Sequence, residues 1–81
     1  MQDGIYEIDL HGLTMAEAKI VLDEVFEYIQ GDDEITDLHI VVGVGNGSVT
    51  GPILPAYVGN YLTEKGFVSE LKNGVLLCKV R

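Results

Sequence analysis

Positive charge is what this chain has least of. Five Lys and Arg stand against thirteen Asp and Glu, a net charge of −8 over 81 residues. A domain that grips phosphates without regard to sequence carries a basic patch. The material for a broad patch is missing here, and the long-range field repels DNA or RNA. Lys65, Lys72, Lys79 and Arg81 fall in the last quarter of the chain, which leaves room for a small local one. Cysteine is nearly absent as well. Cys78 stands alone, so no internal disulfide can form. It sits in the apolar run Val75-Leu76-Leu77-Cys78, which suits a small buried thiol better than a reactive nucleophile. Long apolar runs are lacking too: nothing approaches a membrane span, and no leader pattern is visible. The expected location is therefore the cytoplasm, or the nucleus in a eukaryotic parent, with no membrane partner.

What is present is a foldable composition. Apolar residues make up 47% and charged residues 22%, and a chain this short supports one core. Residues 1–81 are expected to form a single domain. Residues 5–10 alternate, with Tyr6, Ile8 and Leu10 on one face of a strand and Glu7, Asp9 and His11 on the other. Gly12 allows a turn. Thr14-Met15-Ala16-Glu17 is a capping box, in which Thr14 accepts from the Glu17 amide and the Glu17 side chain reaches back. Ala18, Val21, Leu22, Val25, Phe26 and Ile29 then form one helical stripe that ends at Gly31. The acidic run Asp32-Asp33-Glu34 lacks the spacing of a calcium loop.

Residues 38–42 read as a second strand, apolar enough for a central place in the sheet. A loop rich in glycine follows, Gly43-Val44-Gly45-Asn46-Gly47-Ser48. A second helix is expected over residues 55–65, with Leu54, Val58, Tyr61 and Leu62 facing inward, Pro52 left in the loop, and Gly66 as its stop. Residues 67–72 and 75–80 pair as a hairpin around Asn73-Gly74. The order β-α-β-α-β-β makes an α/β (α+β) two-layer sandwich. Its simplest packing is a mixed sheet with two helices on one face and the polar side of the first strand on the other.

Two places could carry chemistry. Asp9 and His11 are two apart in a strand and project side by side. A carboxylate that orients an imidazole can work as a general acid–base pair, or the two can share a divalent cation such as Mg²⁺ or Mn²⁺. The same pair also suits a strand end whose side chains satisfy nearby backbone groups. The second place is the loop. Gly43, Gly45, Asn46, Gly47 and Ser48 lie between a strand and a helix, where exposed amides and close backbone approach favour a phosphate. The Lys-Ser/Thr ending of a Walker loop is absent, and Ser48 breaks the dinucleotide fingerprint. A plain flexible connector remains the competing reading. His39 suits a structural role as well as a site. Tyr28, Tyr57 and Tyr61 read as packing or rim residues.

Together these segments resemble one family. Ile8-Asp9-Leu10-His11-Gly12-Leu13-Thr14, then Glu17-Ala18 and the amphipathic helix, look like the opening of the Smr (small MutS-related) domain with its LDLHG signature. Residues 40–48 look like that family's second motif, a strand entering a loop of HGxG or TGxG type. Gly45-Asn46-Gly47-Ser48, followed by Gly51 and Pro55-Ala56, is most similar to eukaryotic-type members. The resemblance implies a fold like the C-terminal domain of translation initiation factor three. It also implies binding of DNA or RNA, a place in DNA repair, and nicking endonuclease or endoribonuclease activity in several members. The acidic residue and His of the first motif and the glycine loop map onto Asp9, His11, Gly43 and Gly45. Val42 and Val44 stand where the family often has His or Thr and Lys or Arg.

Three readings follow. The leading one is a nucleic-acid-binding domain that cleaves phosphodiester bonds. The alternative is a non-catalytic interaction module that has lost part of the family's active loop. It would bind a protein or weakly bind nucleic acid, and would lean on a larger parent protein for affinity. The third is an unrelated small-ligand phosphate binder.

Overall fold

The first strand, β1 (Ile5–Asp9), shows the alternation its sequence carries: Glu7 and Asp9 are exposed while Tyr6 and Ile8 turn toward the core. These positions belong to a computed structural model that describes residues 4–43 and 53–81. Beyond β1 the ladder runs one step further, because the Leu10 amide donates to the Val41 carbonyl at 2.7 Å and the Leu10 side chain is fully buried.

The helix α1 (Met15–Gln30) begins at Thr14 with both halves of the expected capping box. The Glu17 amide donates to Thr14 Oγ1 at 3.1 Å, and the Thr14 amide donates to Glu17 Oε1 at 2.9 Å. Its inward stripe of Ala18, Leu22, Val25, Phe26 and Ile29 is buried, with Val21 packed at the margin. Gly31 closes the helix as the sequence suggests, but its φ of −91° is not left-handed. The Tyr28 and Ile29 carbonyls accept from the Gly31 and Asp32 amides, and the far end of the chain adds a further donor. The Arg81 guanidinium donates to the Ile29 and Ile35 carbonyls, each at 2.9 Å.

The second strand, β2 (Asp37–Val41), starts and ends one residue earlier than expected. The Val42 amide leaves the ladder to donate to the Gly74 carbonyl at 2.8 Å, although the Val42 side chain stays buried. The helix α2 (Ile53–Glu64) begins two residues earlier than expected and holds Pro55 in its first turn, where the missing N–H costs no hydrogen bond. Gly66, at φ +91°, ends it: the Gly66 amide donates to the Thr63 carbonyl and the Phe67 amide to the Leu62 carbonyl, the two bonds of a Schellman motif. That motif takes residues 67 and 68 out of the sheet. Phe67 stacks on Phe26 at 5.6 Å instead, and β3 is only Ser69–Lys72. β4 (Val75–Lys79) follows after a two-residue turn in which both Asn73 and Gly74 have positive φ, as a type I′ hairpin requires.

The sheet order is β1-β2-β4-β3, with β1 and β2 parallel and the other pairs antiparallel. The architecture is the expected mixed sheet with both helices on one face. The covered face carries Leu38, Ile40, Leu76 and Cys78, all buried in one cluster with the inner stripes of α1 and of α2 (Val58, Leu62). Burial pushes the Cys78 thiol up to about 11, as befits a structural cysteine. No described helix is long and apolar enough to cross a membrane.

The uncovered face is ordered by the register. One row across the four strands reads Asp9, Val41, Val75, Lys72, and the next reads Glu7, His39, Leu77, Glu70. None of these side chains is fully buried.

Candidate active site

Asp9 and His11 meet at the C-terminal end of β1, on the uncovered face. The segment Leu10-His11-Gly12-Leu13 makes a tight turn, closed by the Leu13 amide donating to the Leu10 carbonyl at 3.1 Å. Gly12 takes φ +82° at the third position, as a type II turn requires, and so leaves His11 at the outer corner. Asp9 holds it there twice. Its Oδ1 accepts from the His11 amide at 3.0 Å and lies 2.5 Å from the His11 Nδ1. The ring contact and then the amide bond hold the Asp9 carboxyl below the usual aspartate value. Both side chains remain more than half exposed, at 66% for His11 and 55% for Asp9. A proton on Nδ1 directed at the carboxylate leaves Nε2 with its lone pair toward solvent, which is the tautomer of a general base.

Gly43 lies beside this pair. A Cβ built on it would stand 3.7 Å from the His11 Cβ, and its φ of +80° disfavours any side chain. Its amide donates to the Gly74 carbonyl at 3.0 Å. Gly43 can therefore let a ligand approach closely, but its N–H is already engaged. The other loop residues named as phosphate donors, Gly45, Asn46, Gly47 and Ser48, lie outside the described residues, as does Val44. Val42 faces the core at 4% exposure.

No cluster of three or more His, Cys, Asp or Glu able to hold a metal occurs among the described residues. Asp9 and His11 offer two donors already joined to each other, so the described residues by themselves do not form a cation site.

The Smr domain profile matches residues 8–75 of the chain. The chain belongs to the Smr domain family. Its fold is similar to the crystal structure of the Smr domain of Thermus thermophilus MutS2, with a TM-score of 0.70 and 25% identity over 93% of this chain and 96% of that one. It is similar also to the human small-MutS related domain, with a TM-score of 0.63 and 30% identity over 93% of this chain and 100% of that one. No curated protein sequence matches it. The Asp9–His11 turn lies within the matched segment of this Smr domain.

Sequence reasoning did not place the hairpin turn at this site. A Cβ on Gly74 would come within 3.1 Å of the Gly43 carbonyl carbon and 3.3 Å of its Cα, so two glycine backbones touch where the site's floor is built. Asn73-Gly74 signals a turn in any hairpin, and only the β2–β4 register carries that turn to Gly43. Nor do the late cations form one patch. Lys79 pairs with Asp37 at 3.3 Å, Arg81 caps α1, and Lys65 lies over the Tyr61 and Phe26 rings at 5.2 and 5.7 Å. Lys19 pairs with Asp23, whose other oxygen accepts from the Tyr61 hydroxyl. Of the five cations, Lys72 alone has no such partner among the described residues.

Proposed function

We propose that this Smr domain binds nucleic acid, DNA or RNA, and cleaves its phosphodiester backbone with Asp9 and His11 as the catalytic pair. The observation that carries the reading is the Asp9 carboxylate seated on His11 Nδ1 at an exposed turn beside Gly43. His11 Nε2 takes the proton of the attacking hydroxyl, from water or a neighbouring ribose, as its oxygen bonds to phosphorus. The imidazolium then returns a proton to the leaving oxygen as the old P–O bond breaks. Asp9 fixes the ring's orientation. The Gly43 backbone gives the phosphate room to sit close, and amides of residues 45–48 are the proposed anion donors.

The deciding experiment is a cleavage assay on supercoiled plasmid and structured RNA, with and without Mg²⁺ or Mn²⁺. Cleavage by the wild type that Asp9→Asn and His11→Ala abolish, with folding intact, supports the reading. Cleavage that survives both substitutions refutes it. One observation favours the second reading, a non-catalytic interaction module: four of the five cations are engaged within the molecule, which leaves little positive surface for phosphates. Binding without cleavage under every condition would establish it.

A further inference from the structure

The uncovered sheet face is not uniform, and two adjacent rows of it differ in charge. The row Asp9–Val41–Val75–Lys72 starts at the Asp9–His11 pair and ends on Lys72, the one cation with neither a carboxylate nor an aromatic-ring partner among the described residues. The next row, Glu7–His39–Leu77–Glu70, ends in an exposed carboxylate at both sides. Three inter-strand steps separate Asp9 from Lys72, about 14 Å. That is a span of a few nucleotides, with the half-buried Val41 and Val75 between.

We infer that the nucleic acid lies along the first row as a single strand, with a backbone phosphate on Lys72 and the scissile phosphate at His11. The inference rests on the nucleic-acid reading above and adds to it the path and the form of the substrate. A phosphate chain cannot follow the second row, because Glu7 and Glu70 repel it at both ends. A duplex presents two charged strands and would set one of them against those carboxylates. A single strand fits the one permitted row and can turn its bases toward Val41 and Val75. Among the described residues the face carries no Phe, Tyr or Trp for stacking, so Lys72 supplies much of the hold and the affinity is low.

The test is fluorescence anisotropy with labelled, unstructured oligodeoxynucleotides and oligoribonucleotides, and with the corresponding duplexes, over a salt series. Lys72→Ala should weaken single-strand binding several-fold and reduce the log–log salt slope by about 0.7, the worth of one phosphate contact on a single strand. Glu70→Gln should tighten it. Lys79→Ala, whose cation is held by Asp37 at the other end of the sheet, should change little. The deoxy and ribo arms show which sugar is preferred. Equal loss from Lys72→Ala and Lys79→Ala, an unchanged slope for Lys72→Ala, or duplex binding tighter than single-strand binding overturns the path. Cleavage dependent on Asp9 and His11 would still stand in those cases. A wild type that binds no oligonucleotide overturns both.

Discussion

The two ends of the sheet are built on opposite plans. At one end, around Gly4, the chain is stitched shut. The Thr36 and Asp37 amides both donate to the Gly4 carbonyl, the Val80 amide donates to the Thr36 carbonyl, and Arg81 reaches across to the carbonyls of Ile29 and Ile35. The Lys79–Asp37 pair lies there too. At the other end stand Asp9, His11, Gly43 and Gly74, with exposed side chains, a neighbouring lysine without a carboxylate partner among the described residues, and backbone in place of bulk. The same devices, glycine and charge, do different work at each. At the sealed end charge goes to the Ile29 and Ile35 carbonyls and to the Asp37 carboxylate. At the open end Lys72 has no such partner among the described residues. The stitched end and the proposed site thus lie about a strand's length apart.

The largest effect should come from the open end. If the Asp9–His11 pair acts as proposed, His11→Ala lowers cleavage by about 100- to 10,000-fold. The denaturation midpoint should barely move, because neither side chain is in the core. A matching loss of stability would mean that the pair is structural. The sealed end should respond in the reverse sense. Gly4→Ala places a Cβ 2.7 Å from Thr36 Oγ1 and 2.9 Å from the Glu34 carbonyl oxygen at φ +81°. Urea denaturation should show a loss of about 2–4 kcal/mol, from a left-handed residue and an overpacked contact together. Arg81→Met should cost about 1–3 kcal/mol, since it leaves two carbonyls without a charge-assisted donor. It should leave oligonucleotide binding unchanged.

Val42→His sharpens the contrast within the open end itself. The resemblance implies a His or Thr here, but Val42 faces the core. A histidine should therefore destabilise the fold by about 1–3 kcal/mol without raising any cleavage rate. Retained stability with faster cleavage would show that the side chain can turn toward the site. The smallest effect is the pH dependence of Asp9. Its carboxyl is held below the ordinary value of 3.8 by His11, so the unfolded chain takes up its proton first as pH falls. The stabilisation is present above that value and fades as pH drops through the lower folded one. Wild type and Asp9→Asn should accordingly differ slightly in stability near neutral pH and converge in acid.

Much of this was readable from the residues. Alternation in β1 put Asp9 and His11 on one face, the Thr14–Glu17 box located the start of α1, and Asn73-Gly74 marked the hairpin. These are local signals, each complete within a few residues of chain. The start of β3 was not readable, because Phe67 and Val68 suit a strand by composition and only the Schellman turn at Gly66 and the stacking on Phe26 withdraw them.

The sequence by itself determined the order of elements, the buried stripes, the family and the pairing of Asp9 with His11. All of these depend on periodicity, capping and neighbours two to four residues away. Tertiary structure alone decided the rest. It seated Gly74 on Gly43, sent Arg81 to the end of α1, and aligned Lys72 with Asp9 across four strands. Those placements relate positions from 31 to 63 residues apart in the chain, and they arise from strand order and register. No local pattern encodes that register. It follows from burying Leu38, Ile40, Leu76 and Cys78 together on one face, since a slip of one residue would turn every one of them to water.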